Sequence, residues 1–410
     1  MGSMSIYGIK DYNAAKNKSL LIPKDSIVPR PIHALISPSA MSHNVEQVRA
    51  RIQRTQQHLA NSNHAVQQTQ QFICAVIKAN AYGHGTLNAI KGFAKADALG
   101  MIDVEDLVRC REAGWHKPLL LLEGFFDAKD IPVLQEQRVT TAIHSDEQIA
   151  MLAQAKAAMP IDVFLKINTG MNRLGFLPAQ AAQKLAELEA LQHAGKVGRI
   201  GHMMHFANAD LDTLYVQEAY QQILQARGAY PGALSICNSA ASLRYPQFAF
   251  AAQENWLRPG ICLYGSTPFN TELADDLAVN LKPTMTLQAK VLAVQILKTG
   301  DSVGYGSAYT AERETRIGVV ACGYADGYPR SAKNGTPVSV DGQQSQLLGR
   351  VSMDMLTVDL SHLPQAGVGS TVVLWGEGGP SIDTVADFSG RIGYELMCGL
   401  TKRVPQHIID

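Results

Sequence analysis

Lys78 is the residue whose surroundings most favour chemistry. It follows the apolar run 74–77, which predicts a buried strand, and it stands where that strand gives way to a loop. Burial disfavours the ammonium form of a lysine, and the neutral amine is a nucleophile that forms a Schiff base with a carbonyl compound such as pyridoxal phosphate. Tyr82 and His84 follow closely enough to bind a group attached to Lys78. If this segment is considered alone, the simpler interpretation is that Lys78 is an ordinary solvated lysine at a strand end.

The composition limits the class of protein. The 410 residues include 36 Lys and Arg against 36 Asp and Glu, which gives no support for a nucleic-acid or anionic-membrane partner. Six scattered cysteines without a CxxC pair favour reduced thiols over disulfides or a zinc site. Neither a secretory signal nor an apolar stretch of membrane-spanning length is found, so we expect a cytoplasmic protein.

Short apolar runs alternate with amphipathic stretches over the first two thirds of the chain. The expected strands are residues 74–77, 98–102, 119–122, 140–144, 162–167, 198–203, 233–237 and 261–263. The expected helices include residues 45–59, 149–158, 178–193 and 211–227. This alternation predicts an α/β fold, a (β/α)8 TIM-type barrel, over residues 33–280.

The pattern changes near residue 281. Beyond it the β-type runs 285–297, 316–321, 337–340, 346–348, 356–359 and 371–375 dominate. Asn334-Gly335 and Asp341-Gly342 are hairpin signals. We therefore expect residues 281–410 to form a mainly β C-terminal domain. Residues 1–32, which open with what resembles an expression-tag scar, would form an N-terminal extension that packs on the β domain or is disordered.

Polar and small residues cluster where the barrel strands are expected to end. They occupy residues 169–175, 202–207, 237–242 and 258–261. In barrels of this type the active site lies at the carboxyl ends of the strands, and a phosphate site often forms after strands seven and eight. Ser239 offers a hydroxyl at that point, and Gly260 and Ile261 offer backbone N–H groups.

Eight segments carry a resemblance to a known family. In chain order from residue 75 to 355 they are AVIKANAYGHG, KINTGMNRLGF, HFA, NSAAS, RPGICLYG, VGYGSAYTA, GYADGY and GRVSMDM. They resemble the motifs of the alanine racemases, which are pyridoxal-phosphate enzymes of fold type III. The resemblance implies pyridoxal 5′-phosphate as cofactor, alanine as substrate, no metal, and a homodimer with shared active sites. D-alanine would be made for peptidoglycan, or alanine would be catabolised.

The resemblance also assigns two bases. Lys78 would hold the cofactor and act on one face of the substrate, and Tyr305 from the partner subunit would act on the other. Racemisation requires one group to remove the α-proton and another to return a proton from the opposite side. Without the resemblance, Tyr305 is an aromatic residue between two glycines at a strand edge.

Further roles follow by the same matching. Arg258 would face the pyridine nitrogen and leave it unprotonated, because a guanidinium keeps its proton near neutral pH. His205 would hydrogen-bond to Arg258 and to the tyrosine base. Arg173 would contact the cofactor and the substrate carboxylate. Lys166 would either carry a carbamate that holds Arg173 or pair with a carboxylate as an ordinary barrel lysine.

The remaining matches lie at the two ends of the cofactor. The phosphate would be held by Tyr82, Ser239, Gly260, Ile261 and Tyr394. Met353 would give a backbone N–H to the substrate carboxylate, Asp354 would orient Tyr305, and Tyr324 would narrow the mouth of the site. Asn168 stands where some family members carry Asp.

Three other functions compete with this one. A racemase of broader specificity, acting on serine, lysine or arginine, would differ in pocket residues, and such enzymes tend to be exported, whereas this chain shows no export signal. A fold-type III amino-acid decarboxylase would place a lysine on the first strand too, but Arg258 and the VGYGSAY segment argue against it. A non-catalytic pyridoxal-phosphate-binding protein would be a single barrel, and the second domain with Tyr305 speaks against it.

Overall fold

The computed structural model describes residues 30–61, 64–156, 158–211, 213–269 and 279–410. Residues Ile32–Asp410 form one compact unit, and the description concerns that unit. The expected packing of the N-terminal extension falls on residues 1–29, outside the described ranges. Among the described residues, no helix combines the length and apolar character needed to cross a bilayer.

The described strands and helices alternate first and then give way to strands. The strands are β1 (Ile32–Ile36), β2 (Gln70–Val76), β3 (Ala98–Met101), β4 (Leu119–Leu121), β5 (Val139–Ile143), β6 (Ile161–Lys166), β7 (Val197–Met203), β8 (Leu234–Ser235), β9 (Glu254–Leu257), β10 (Met285–Leu297), β11 (Ser302–Val303), β12 (Tyr309–Thr310), β13 (Thr315–Val320), β14 (Pro337–Val340), β15 (Gln343–Leu348), β16 (Leu356–Asp359), β17 (Thr371–Trp375) and β18 (Gln406–Ile408). The helices are Pro38–Ala60, Lys78–Tyr82, Thr86–Gly92, Val104–Glu112, Asp130–Glu136, Asp146–Gln154, Ala181–His193, Thr213–Arg227, Ser239–Arg244, Ile382–Ser389 and Gly393–Cys398.

Strands β2 to β9 close into a parallel barrel. Phe164, Met203 and Trp256 belong to the buried cluster inside it, and a second, larger cluster takes residues from the barrel strands, the surrounding helices and the second sheet. The predicted TIM-type barrel with a mainly β second part is therefore confirmed.

The eighth barrel strand was predicted in the wrong place. It is Glu254–Leu257, whereas Ile261–Tyr264 is a 3₁₀ turn beyond the strand. The real strand opens with two polar residues, one of which is Asn255, so its apolar signal is only two residues long. The stronger apolar run after Pro259 was mistaken for it.

The second sheet has eight strands in the order β13-β16-β15-β14-β17-β10-β1-β18. Its member β1 pairs antiparallel with β10 and parallel with β18, so residues 32–36 join this sheet although the sequence placed residue 33 at the start of the barrel. Asp341-Gly342 forms the predicted hairpin between β14 and β15, with positive φ at both residues. Asn334-Gly335 does not form a hairpin, because it precedes β14 and Gly335 N donates to Leu347 O.

The loop after β2 is anchored to the last residues of the chain and to the start of the second sheet. Gln406 Nε2 donates to Gly83 O at 2.6 Å, and the buried His84 ring lies 2.8 Å from Thr284 Oγ1 through its Nε2. The segment that carries Lys78 is therefore fixed by both halves of the molecule.

Candidate active site

Lys78 begins a turn with an unusual backbone. The four residues Ala79, Asn80, Ala81 and Tyr82 have φ between 51° and 54°, which is the left-handed region. Each such L-residue costs about 1–2 kcal/mol, so the surrounding structure must hold the turn. Ala81 N donates to Ile77 O, and the Asn80 carbonyl and side chain accept from the residues that follow the turn. Backbone strain of this kind clusters at functional sites.

A cavity of about 430 Å³ opens at the carboxyl ends of the barrel strands. It brings together ten of the residues that the sequence proposed: Lys78, Tyr82, Lys166, Arg173, His205, Ser239, Arg258, Gly260, Ile261 and Tyr394. These residues come from the ends of at least four strands, as expected for a barrel whose site is built from strand ends.

Arg258 is the most firmly held side chain of the cavity. It is 5% exposed, and its guanidinium donates to Ser235 Oγ and to Met204 O, both at 2.6 Å. Burial lowers the pKa of Arg258 to about 10, which still leaves the side chain protonated at neutral pH. It therefore remains a donor towards any group in the cavity.

His205 lies beside Arg258. Arg258 Nη2 is 3.5 Å from His205 Nδ1, and Asn238 Nδ2 is 3.4 Å from His205 Nε2. Burial, followed by the Arg258 charge, lowers the pKa of His205 well below its usual value, so the imidazole is neutral. The predicted contact between His205 and Arg258 is present at the long end of the hydrogen-bond range.

The other two histidines near the motifs are structural. His202 is fully buried and packs its ring against Tyr230, 5.5 Å between centroids. His84 was expected to bind a group on Lys78, but it does not line the cavity, and its ring bonds to Thr284 and to backbone carbonyls. No cluster of three or more metal-binding side chains occurs in the described ranges.

Lys166 sits in a cluster of positive charge. It is 6% exposed at the end of β6, and burial, followed by the charges of Arg258 and Arg173, lowers its pKa to about 8. The loop that carries Arg173 is shaped by Asn168, whose Oδ1 accepts from Gly170 N at 3.2 Å and Asn172 N at 2.9 Å. Asn168 thus caps the loop that carries Arg173.

The end of the cavity formed by Tyr82, Ser239 and Gly260 is tightly packed. Ser239 Oγ accepts from Gly260 N at 2.8 Å, and Tyr82 stacks on Tyr264 with 4.6 Å between ring centroids. A Cβ atom at Gly260 would lie 2.4 Å from Tyr82 Oη, so only glycine fits. Burial raises the pKa of Tyr82 and Tyr394, which keeps both hydroxyls protonated as donors.

Four of the five candidate residues beyond residue 280 do not line this cavity, and Tyr394 is the exception. Tyr305 is 71% exposed, Met353 52% and Tyr324 38%. Asp354 is bonded to Arg403 Nη2 at 2.6 Å. Within one chain, the structure therefore assembles the barrel residues with Tyr394 and leaves Tyr305, Met353 and Tyr324 exposed on the β domain.

The comparisons with known proteins decide the family. A model described as the N-terminal domain of alanine racemase matches residues 36–268, and one described as its C-terminal domain matches residues 284–408. The chain belongs to the alanine racemase family. The predictions of this family and of an enzyme are confirmed.

Individual members of the alanine racemase family match over nearly the whole chain. The alanine racemase of Bordetella avium is 49% identical over 92% of this chain and 99% of its own length. That of Cupriavidus necator is 46% identical over 93% of this chain and 96% of its own. A crystal structure of the biosynthetic alanine racemase from Pseudomonas aeruginosa superimposes with a TM-score of 0.81 at 39% identity, covering 93% of this chain and all of that one.

Sequence reasoning did not name three polar residues that line the cavity of this alanine racemase family member, which are Glu123, Asp210 and Asn238. Glu123 follows β4 almost directly, so the rule that singled out Lys78, a polar residue just past an apolar strand, also points to it. Asn238 precedes helix Ser239–Arg244 and caps it by accepting from Ala241 N.

Proposed function

We propose that the chain interconverts L-alanine and D-alanine with pyridoxal 5′-phosphate, using Lys78 and Tyr305 of the partner subunit as the two bases. The observation that carries the proposal is the cavity around Lys78, which gathers ten of the residues that the resemblance assigns to the site. The other catalytic motif, which contains Tyr305, lies exposed on the β domain.

The residues of the cavity suit this cofactor. Lys78 offers the amine that would bind its aldehyde. Hydroxyls of Tyr82, Ser239 and Tyr394, with the N–H groups of Gly260 and Ile261, would hold its phosphate. The cationic side chains Arg258, Arg173 and Lys166 suit a ligand with several negative charges. When bound, the cofactor withdraws electrons and makes the α-proton of the amino acid removable.

The residues of this chain would divide the proton transfers between two faces. Lys78 Nζ would take or give the α-proton on one face, and the partner's Tyr305 Oη would do so on the other. Arg258, held by Ser235 and Met204, keeps its protons and would donate a hydrogen bond to the ring nitrogen of the cofactor. That nitrogen would stay unprotonated, which would limit the electron withdrawal that the cofactor supplies and, with it, side reactions.

The substrate would be bound by its carboxylate. Arg173 in the barrel and the backbone N–H of Met353 would hold that group, and Asp354 would orient the tyrosine base. Tyr324 would narrow the mouth of the site, which leaves room for a side chain of alanine size. Since Met353 and Tyr324 are exposed on the β domain, these contacts would form between the subunits of a homodimer.

We place the reaction in the cytoplasm. There it would supply D-alanine for peptidoglycan, and in the reverse direction it would feed alanine catabolism.

The decisive experiment measures racemisation of alanine, serine, lysine and arginine side by side, together with the visible absorbance of lysine-bound cofactor. We expect cofactor absorbance and turnover that is fastest on alanine. Cofactor absorbance without racemisation would indicate a non-catalytic pyridoxal-phosphate-binding protein. Faster turnover of lysine or arginine than of alanine would indicate a racemase of broader specificity.

A further inference from the structure

Two backbone carbonyls just past the left-handed turn accept hydrogen bonds from side chains. His84 O accepts from Asn88 Nδ2 at 2.8 Å, and both residues belong to the same stretch of chain. Gly83 O accepts from Gln406 Nε2 at 2.6 Å, and these two residues are 323 positions apart. A strained backbone persists only where the surrounding contacts hold it. The hydrogen bond from Gln406 is therefore placed to hold the turn that begins at Lys78.

The amide of Gln406 lies close to both glycines that follow the turn. Its Nε2 bonds to Gly83 O, and a Cβ atom at Gly85 would lie 3.5 Å from its Oε1. At Gly83 φ is +79°, and a Cβ atom there would lie 2.1 Å from Met397 O, so only glycine allows this close approach. The end of the turn thus packs against the backbone of helix Gly393–Cys398 and is bonded to strand β18.

The backbone that carries Gln406 is fixed by its pairing with β1. Gln406 stands opposite Ala34 in this parallel pair. Ala34 N donates to Pro405 O at 2.9 Å, one residue before Gln406. Ile409 N donates to Ile36 O at 3.1 Å, three residues after it. Although the side chain of Gln406 is exposed, it therefore extends from a backbone that is bonded on either side of it.

The last residue of the chain fastens the far end of this segment. The Asp410 carboxylate accepts from Ser37 Oγ at 2.7 Å and from Ser39 N at 3.1 Å, where helix Pro38–Ala60 begins. The C-terminal segment 405–410 is thus bonded to β1, to the start of this helix and to the loop after Lys78.

We propose that Gln406 is a positioning residue for the racemisation: its amide holds Gly83, and thereby the turn on which Lys78 and Tyr82 stand. This inference rests on the proposed function. Lys78 Nζ would have to reach the α-carbon of the substrate, and the Tyr82 hydroxyl would hold the phosphate. A misplacement of about 1 Å can cost about a hundredfold in rate even when the change lies away from the reacting atoms. A bond to the turn therefore affects the rate although Gln406 does not line the cavity.

The test compares three variants. Gln406→Glu keeps the size of the side chain and replaces the donor by an acceptor, whereas Gln406→Arg keeps N–H donors. Gln343→Glu, at an exposed position of β15, is the control for the added charge. With saturating cofactor, we expect Gln406→Glu to lower kcat for alanine about fivefold, the size of effect that one hydrogen bond produces. KM should stay within about twofold, because the groups that would bind the alanine carboxylate lie on other elements. Gln406→Arg should recover most of the loss, and Gln343→Glu should match the wild type.

A second measurement does not depend on turnover. Hydrogen–deuterium exchange of the full chain is followed by mass spectrometry on peptides that cover residues 78–86. Without the bond to Gly83 O the turn opens more often, so we expect its amides to exchange several-fold faster in Gln406→Glu than in the wild type or in Gln343→Glu. Exchange elsewhere in the chain and Tm should match the wild type.

The inference is overturned if kcat and the exchange of residues 78–86 are the same in Gln406→Glu and in the wild type. It is also overturned if Gln406→Arg loses as much activity as Gln406→Glu, because the donor then has no role. Faster exchange throughout the chain with a lower Tm would overturn it as well, since the bond would then support the whole fold. An inactive wild type with faster exchange confined to residues 78–86 in Gln406→Glu would reject the proposed function and support Gln406 as the residue that holds the turn.

Discussion

The barrel half and the β-domain half of the site differ in how buried and how well hydrogen-bonded their side chains are. On the barrel, Arg258 is 5% exposed and bonded to Ser235 and Met204, and Ser239 is bonded to Gly260. On the β domain, Tyr305 is 71% exposed, and neither it nor Met353 lines the cavity. The barrel half is preorganised by the fold of one chain, and the half on the β domain presents its groups to solvent.

Because of this difference, substitutions in the two halves should affect protein stability and enzymatic activity differently. Residues of the barrel half take part in buried hydrogen bonds, so changing them affects folding as well as chemistry. An exposed side chain contributes little to folding, and its replacement usually changes the free energy of unfolding by no more than about 0.5 kcal/mol. Substitutions of hydrogen-bonded residues in the barrel half should therefore lower both stability and activity, and substitutions in the β-domain half should lower activity alone.

The largest effect is expected for Lys78→Ala. The variant loses both the attachment point of the cofactor and one base, so alanine racemisation should fall by about 10⁴-fold or more. The visible absorbance of lysine-bound cofactor should vanish with it. Retained absorbance at the wild-type position would show that another amine holds the cofactor.

Tyr305→Phe should come next and should affect activity alone. Removal of one acid–base group typically costs about 10²–10⁴-fold in rate. Because the side chain is exposed, Tm and cofactor absorbance should match the wild type. Exchange of the α-proton with solvent deuterium, followed by NMR, should persist for one enantiomer of alanine only. Turnover like that of the wild type would reject Tyr305 as a base.

Arg258→Gln should change activity and stability together. We expect a smaller loss of rate than for Tyr305→Phe, and a decrease in the free energy of unfolding of about 1–3 kcal/mol, since Ser235 Oγ and Met204 O lose a buried donor. Denaturant titration of the cofactor-free variant checks this. A variant as stable as the wild type would contradict the contrast between the two halves.

The only stabilising change that we expect comes from Lys166→Met. The pKa of Lys166 is about 8 in the folded chain against an ordinary value of 10.5, so the unfolded chain binds the extra proton between these pH values. Wild-type stability therefore rises with pH through that window, and the full penalty applies below it. At pH 7 the substitution should stabilise the cofactor-free chain by an amount on the order of 3 kcal/mol at most. The difference should shrink towards pH 10.

Chemical denaturation of the wild type and Lys166→Met at pH 7 and pH 9.5 measures this. A Lys166→Met variant that is less stable at pH 7 would show that the ammonium is well paired, or that the side chain carries a modification.

Much of the fold was predictable because apolar periodicity reports directly on buried strands. Seven of the eight barrel strands were found near their positions, since each contains a short apolar run or adjoins one. The eighth, Glu254–Leu257, was missed because polar residues open it. The pairing of β1 with β10 was missed because pairing over 250 residues of chain leaves no local pattern.

The sequence predicted which residues form the site better than it predicted how they are arranged. The resemblance named ten residues of the cavity, but nothing local indicates the left-handed turn at Ala79–Tyr82, which contains no glycine. Glu123 and Asp210 were missed because neither stands in a family motif. That they line the same cavity becomes visible only when the strand ends are placed side by side.

The central claim is that a complete site needs Lys78 from one chain and Tyr305 from another. Lys78→Ala and Tyr305→Phe proteins, each inactive, should be mixed under conditions that exchange subunits, with exchange verified by two affinity tags. A mixed dimer then has one site with both bases, so racemisation should return to about a quarter of the wild-type rate. If verified exchange restores no activity, the two bases do not come from different chains.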